Sequence, residues 1–256
     1  MSSTMQNSIK KVGLFVPCCV DQYWPDVAWK TLHLLHSLGL ECHYPAEVSC
    51  CGRELFMQGD REGAKRLGEK MMELYDDCSH VVSCDSGCVA YIKRHFGKLF
   101  HNTILHNSFR QFCDKCFDLS DFLVNIMHYS PSVRFPHTVT VADHCATQHD
   151  YLCLAHPDDN GLHDEVRTLL NAVEGLHVVE MAQNDVCCGM GGMFASDFSS
   201  IANDLAKRKT DNAVAAGAEY IVTTESSCRI HMQSSIDKNK SGLKCIHLVD
   251  ILCCEE

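Results

Sequence analysis

Two Cys-Cys-Gly triplets constrain this chain more than any other feature of its sequence. They are Cys50-Cys51-Gly52 and Cys187-Cys188-Gly189, and each stands between an earlier and a later cysteine. Cys18 and Cys88 bracket the first triplet, and Cys145 and Cys228 bracket the second. From triplet to downstream cysteine the gaps are 37 and 40 residues. A disulfide framework has no reason to repeat in this way, whereas a pair of four-thiolate metal sites does. Adjacent cysteines suit a simple zinc site poorly, because zinc usually takes Cys-x-x-Cys knuckles. Neighbouring side chains are expected to point apart, which would place the two sulfurs of a triplet on different metal atoms of one cluster. The glycine permits a backbone conformation that a side chain would block. The second triplet continues Gly189-Met190-Gly191-Gly192, a loop able to bring N–H groups towards sulfur, and such hydrogen bonds tune a cluster's reduction potential. The residues favour an iron–sulfur centre over zinc in each half.

Composition supports a reduced, metal-handling chain. There are 18 cysteines in 256 residues. The N-terminal stretch is polar, with no apolar export core, and no run approaches the ~18 apolar residues of a membrane span. The expected location is therefore the cytoplasm, where cysteines ligate metal or do redox work more often than they form disulfides. The net charge of −11 and the absence of a Lys/Arg stripe argue against nucleic acid as a partner. No G-x-G-x-x-G pattern is present, so a dinucleotide is not indicated.

Not every thiol belongs to the two sets. Cys42, Cys78, Cys84, Cys153 and Cys245 read as small buried apolar residues. Cys19 and Cys84 neighbour better candidates and are second-choice ligands. Cys113-xx-Cys116 has no counterpart in the second half and reads as a chance pair, and Cys253-Cys254 lacks the glycine. His144 and His149 flank Cys145 and read as surface or core histidines. His231 follows Cys228 at a Cys-x-x-His interval and is a possible further metal ligand. Asp143 and Asp197 read as solvated loop carboxylates.

Strand and helix patterns alternate and repeat. In the first half a strand over Val12 to Pro17 leads to Cys18-Cys19. A helix over Pro25 to Ser37 and a strand over Glu41 to Tyr44 lead to the first triplet. A helix over Asp60 to Tyr75 and a strand over His80 to Ser83 lead through a turn to Cys88, with a helix from Val89 to Phe96. The second half repeats this order. A strand over Thr138 to Ala142 leads to Cys145. A helix over His163 to Val173 and a strand over His177 to Met181 lead to the second triplet. A helix over Ser199 to Ala216, a strand over Tyr220 to Thr224 and a turn lead to Cys228, with a helix from Arg229. Each half closes on a similar phrase, Leu119-Ser120-Asp121-Phe122-Leu123 and Leu248-Val249-Asp250-Ile251-Leu252. The expected fold class is α/β, two similar Rossmann-like halves of parallel sheet flanked by helices, made by internal duplication. The expected domains are residues 1–130 and 131–256, joined near Ser130-Pro131-Ser132. Every cysteine of the two sets follows a strand, and open α/β sheets gather ligands beyond the carboxyl ends of their strands.

At these residues the chain resembles the cysteine-rich CCG-domain family, which occurs in lactate utilisation proteins, in the glycolate oxidase iron–sulfur subunit and in the B subunit of heterodisulfide reductase. The likeness runs through LFVPC, PDVAWKTLHLLHSLGLECHYP, DLSDFLVNI, VEGLHVVEM, CCGMGGMFAS and IHLVDIL, with the lactate-utilisation branch most similar. The resemblance implies an iron–sulfur subunit of a flavin-independent complex that oxidises L-lactate, a 2-hydroxy acid, to pyruvate. Its partners would be a ferredoxin-containing B-type subunit and a smaller C-type subunit. It implies one [4Fe–4S] cluster per repeat, held by Cys18, Cys50, Cys51 and Cys88 in the first and by Cys145, Cys187, Cys188 and Cys228 in the second. Heterodisulfide reductase carries a further cysteine after the downstream one, where this chain has Tyr91 and His231, so a five-thiolate cluster does not carry over. Arg53-Glu54 replaces the Gln-Pro pair usual after the first triplet. Two other readings stand beside this one. One is a zinc-stabilised binding module, with zinc in one repeat. The other is a thiol–disulfide or heterodisulfide reductase subunit using Cys187-Cys188 directly.

Overall fold

Parallel pairing organises both halves of the molecule. The computed structural model describes residues 11–48, 50–145 and 165–254. The chain divides into two compact units, Met1–His128 and Tyr129–Glu256. In the first unit the order is β1 (Val12–Phe15), α1 (Cys18–Tyr23), α2 (Pro25–Ser37), β2 (Cys42–His43), α3 (Arg53–Met57) and α4 (Arg61–Leu74). Then come β3 (His80–Ser83), α5 (Ser86–Phe100), α6 (His106–Lys115), β4 (Cys116–Asp118) and α7 (Leu119–Asp121), which runs into a π-helical turn, Phe122–Ile126. The second unit contains β5 (Thr138–Val141), α8 (Glu165–Asn171), β6 (His177–Val178), α9 (Phe194–Asp197) and α10 (Ser199–Ala215). It closes with β7 (Tyr220–Thr223), α11 (Ser226–Asn239), β8 (Lys244–His247) and α12 (Leu248–Leu252).

The first sheet has the strand order β2-β1-β3-β4 and the second β6-β5-β7-β8, with every described pair parallel. In this order the chain steps to one side of the first strand and then to the other, which opens a crevice between the loops leaving the two central strands. In the first unit those loops carry Cys18 and Cys88; in the second they carry Cys145 and Cys228. The strands are short and buried, with the patterns expected of sheet covered on both faces.

The helix pattern read from sequence holds for α2, whose bounds are those expected. Helix α4 starts after Asp60, whose carboxylate accepts the Gly63 N–H at 2.8 Å. Differences are local and have physical causes. Helix α5 begins at Ser86 rather than Val89, because Asp85 caps it by accepting the Cys88 N–H at 3.1 Å, so Cys88 lies inside the first turn. Helix α11 likewise starts at Ser226, which puts Cys228 in its first turn. The strand expected over His177 to Met181 is paired only at His177–Val178. The closing phrases of the two halves are helix starts. Asp118 caps α7 and His247 caps α12, the latter with a reciprocal bond from the His247 N–H to Asp250. Strands β4 and β8 precede them and are too short and polar to stand out in the sequence. Cys153, His149 and His163 lie outside the described residues. No described helix is long and apolar enough to cross a membrane.

Candidate metal centres

The CCG triplet has one geometry in both units. Gly52 and Gly189 adopt φ of +87° and +89°, a region that only glycine enters without strain. In this conformation the Gly52 N–H donates to Cys50 Sγ and the Gly189 N–H to Cys187 Sγ, each at 3.3 Å. A side chain at either glycine would strike the backbone of the following long helix, at Ala64 of α4 and Ala202 of α10. The glycine is therefore needed twice over, for its φ and for the close approach of loop to helix.

Around each triplet the four expected sulfurs form a row in sequence order. In the first unit Cys18 contacts Cys50, Cys50 contacts Cys51, and Cys51 Sγ lies 3.3 Å from Cys88 Sγ. In the second unit Cys145 Sγ lies 3.5 Å from Cys187 Sγ, Cys187 contacts Cys188, and Cys188 Sγ lies 3.2 Å from Cys228 Sγ. The two sulfurs of a triplet thus meet rather than point apart. Opposite-pointing neighbours are a property of extended strand, and this loop turns into a left-handed glycine instead. Cys19 adds a fifth thiol to the first row through its hydrogen bond with Cys18.

In each row the second sulfur is the one whose thiolate its neighbours favour most. Hydrogen bonds from Cys18 and then Cys51 hold Cys50 down to about 3. Those from Cys145 and Cys188, with smaller help from Gly189 and the charge of Lys209, hold Cys187 at about 2. Cys51 and Cys188 are pushed up, first by their bonds to these thiolates. The last sulfurs differ between units. For Cys88 the bond to Cys51 favours the thiolate, but burial and the Asp85 carboxylate outweigh it and leave the thiol at about 11. Cys228 is lowered by its bond to Cys188, and His144 adds to this. Both stand in the first turn of a long helix, where the backbone dipole favours a thiolate.

Several flanking residues were not legible as site residues in the sequence. His144 is buried, with Nε2 2.8 Å from Thr223 Oγ1, and the Thr224 N–H donates to the same nitrogen at 3.3 Å. This turns Nδ1 towards Glu225, at 3.8 Å. The donor atoms of His144, Glu225 and Cys228 all lie within 4.8 Å of one another. Lys209, on α10, is buried against Cys145, Cys187, Cys188 and Cys228. Asp143 is not a solvated loop carboxylate. It takes two bonds from Arg167, at 2.9 and 3.1 Å, and one from Asn184 at 2.7 Å, which fix the loop leading to Cys145. Asp197 is exposed on α9. His231 lies against the Cys188 backbone, outside the row, and its Nδ1 has no hydrogen-bond partner among the described residues. Tyr91, at the corresponding place in the first unit, is buried beside Cys51 and Cys50 under the ring of Phe56.

The remaining thiols stay apart from the rows. Cys78, Cys84, Cys116 and Cys245 are buried, while Cys42, Cys113, Cys253 and Cys254 are half-buried. Cys42 is thus less enclosed than its apolar reading implied. All described cysteines are free thiols.

The donor set fits an iron–sulfur centre. It offers four sulfurs, a backbone N–H on one of them, and burial of the third and fourth. Four sulfurs on a single zinc at about 2.3 Å would all stand about 3.8 Å apart. Among the described residues neither row contains three sulfurs that are mutually within 4.8 Å, so each row is strung out rather than gathered on a tetrahedron.

A twice-repeated parallel sheet that lines up four thiols beside its central strands defines a duplicated cysteine-rich α/β protein. The chain belongs to the CCG family, described as a cysteine-rich domain, whose model matches residues 12–93 and 139–233. It is similar to lactate utilization protein A of Macrococcus caseolyticus, with 29% identity over 244 residues, 94% of this chain and 96% of the relative. It is also similar to lactate utilization protein A of Bacillus subtilis, with 27% identity over 243 residues, 94% of this chain and 98% of that one. Among solved structures, a hypothetical protein from Helicobacter pylori superposes with a TM-score of 0.64 at 9% identity. That likeness covers 96% of this chain and 50% of the other, and it is one of fold.

Proposed function

We propose that the protein is an iron–sulfur electron-transfer subunit of a complex that oxidises a 2-hydroxy acid, L-lactate to pyruvate, without flavin. The observation that carries this reading is the same four-sulfur row in both units, each with its glycine N–H on the second sulfur. The similarity to proteins named for lactate utilization supplies the substrate class. Cys18, Cys50, Cys51 and Cys88 would hold the first cluster, and Cys145, Cys187, Cys188 and Cys228 the second, each of the [4Fe–4S] type. When bound, such a cluster supplies one-electron acceptance and release. The chain's own contribution is to hold four sulfurs in place, to donate N–H groups to them and to keep water from the buried pair. Oxidation of a 2-hydroxy acid yields an electron pair and protons. A ferredoxin-containing B-type partner would receive the electrons, with a smaller C-type subunit completing the complex.

Anaerobic purification followed by iron and acid-labile sulfide analysis tests the reading. Iron with matching sulfide, and an EPR signal on reduction, is the expected result; colourless protein with zinc and no sulfide overturns it. A second reading, zinc in the second unit alone, is favoured by the mixed nitrogen, oxygen and sulfur group of His144, Glu225 and Cys228. The same analysis separates the two.

A further inference from the structure

We propose that Lys209 raises the reduction potential of the second unit's centre above that of the first, so that the duplicated centres are electronically inequivalent. The inference rests on the iron–sulfur reading above and concerns what distinguishes one centre from the other.

Lys209 is buried, with 4% of its surface exposed. Its Nζ donates to three backbone carbonyls: Asn184 at 2.7 Å, Val186 at 3.0 Å and Asp143 at 3.2 Å. An ammonium has three N–H donors, and all three are used. Each acceptor is neutral, and no carboxylate pairs with Lys209 among the described residues. A buried charge left in this state is costly unless an anion lies near. The sulfurs of Cys145, Cys187, Cys188 and Cys228 line the same crevice as Lys209, with Asp143 beside them. Its carbonyl partners belong to the loops that deliver Cys145 and Cys187, so the cation is fixed relative to the row.

The first unit lacks this charge. The contacts of Gly52 with Ala64 and of Gly189 with Ala202 set the two helices in register. In that register Ala64, Gly68, Met71 and Met72 of α4 correspond to Ala202, Ala206, Lys209 and Thr210 of α10, and all eight are buried. Met71 thus occupies the place of Lys209. Asp85 and Glu225 hold corresponding positions after β3 and β7, and Asp143, which has Val16 as its counterpart in the first unit, is paired with Arg167. Arg53, the cation nearest Cys88, is only half-buried, where water screens it. Reduction adds one electron, and a fixed buried cation stabilises the added charge far more than a screened one.

The test is a redox titration of the anaerobically prepared full chain, followed by EPR, with Cys51→Ser and Cys188→Ser used to assign each signal to its unit. We expect two potentials, the second unit's the higher. Lys209→Met, which copies the first unit, and Lys209→Gln, which keeps N–H donors without the charge, should both lower the second unit's potential and leave the first unchanged. Lys209→Arg should hold it near the wild-type value. Equal potentials in the wild type, or no shift in neutral variants that keep their iron, overturn the proposal. Loss of the fold or of the second unit's iron in both neutral variants makes Lys209 a loop staple and overturns it as well. Absence of iron and sulfide from the wild type refutes the iron–sulfur reading itself, a separate outcome.

Discussion

The two units share a backbone plan and differ in what fills it. Helix α4 buries Ala64, Gly68, Met71 and Met72, with Tyr75 just past its end, whereas α10 buries Ala202, Ala206, Lys209, Thr210 and Ala213. The first unit builds an aromatic core in which Phe96 contacts Phe100, Phe112 and Tyr91. The second unit's core cluster, among the described residues, carries no aromatic ring, and polar side chains are buried beside its row, among them His144, Lys209 and Glu225. The sulfurs and the two glycines are kept while their surroundings diverge. The duplication therefore preserved the rows of sulfurs and varied their electrostatic setting. Sites that are alike in ligands need not be alike in chemistry.

The sharpest way to break the comparison is to remove one sulfur from each row. Cys51→Ser should abolish iron in the first unit only, and Cys188→Ser in the second only, read as iron and sulfide per chain. Loss of all metal from either single variant would mean that the two rows do not act as separate sites. The next largest effect concerns the glycines. Gly52→Ala and Gly189→Ala should each destabilise by about 1–3 kcal/mol for the left-handed conformation alone. Gly189→Ala should be the worse of the two. A Cβ there would come within 2.9 Å of the Ala202 backbone, against 3.1 Å from Ala64 for Gly52. Urea denaturation of both variants checks the order, and equal losses would show that helix packing adds nothing to the backbone term.

A third prediction tests the register on which the comparison depends. Gly13 in β1 lies under Tyr75, and a Cβ at Gly13 would meet that ring at 2.4 Å. The corresponding pair in the second unit is Thr140 and Ala213, both buried. The larger side chain is at the helix end in the first unit and on the strand in the second. Gly13→Ala should cost about 1–3 kcal/mol by overpacking. Tyr75→Ala should cost about 3–5 kcal/mol through the cavity it leaves and through loss of the bond from Tyr75 Oη to the Leu14 carbonyl, at 2.8 Å. The double variant Gly13→Thr with Tyr75→Ala rebuilds the second unit's pair, so its cost should fall well short of the sum of Gly13→Thr and Tyr75→Ala measured singly. Strict additivity of the two changes would sink the register.

Much of this plan was legible in the sequence, for reasons that particular residues make plain. The central strands and long helices announced themselves through apolar runs and 3.6-residue spacing, and the four cysteines grouped in each half lie side by side in the structure, although the triplet sulfurs meet rather than point apart. What escaped notice obeys weaker rules. Strand β4 is only Cys116–Asp118, and β8 (Lys244–His247) alternates with a lysine at its head, so neither makes an apolar run. Helix α6 carries Phe109 and Phe112 as its buried residues on an otherwise polar stretch. Lys209 was invisible because lysine is almost never fully buried. A signal did exist: Lys209 falls on the helical stripe of Ala202, Ala206 and Ala213, in phase with small residues that can only face a core. In the sequence His144 reads as a surface or satisfied core histidine. It is satisfied, by Thr223 and Thr224, yet it also faces Cys228, and that proximity is set by the crossing of two distant loops rather than by any local pattern.

The smallest expected effect lies at the rim of the second site. Arg167 of α8 bonds both oxygens of Asp143 and both of Glu180. Two-pronged geometry makes such a pair worth more than an ordinary surface contact, but Glu180 is 60% exposed, so solvent discounts that side of it. Arg167→Ala should therefore cost about 1 kcal/mol or less in low salt, and the difference from wild type should shrink as ionic strength rises. Arg167 is not the only anchor of the strand-to-Cys145 loop: Asn184 accepts the Asp143 N–H and donates to the Asp143 carboxylate and to the Val141 carbonyl. The variant should thus release the second unit's metal faster to a chelator, with the first unit's release unchanged. Equal acceleration in both units would locate the effect of Arg167 in global stability, and a salt-independent loss would show that its guanidinium acts by packing rather than by charge.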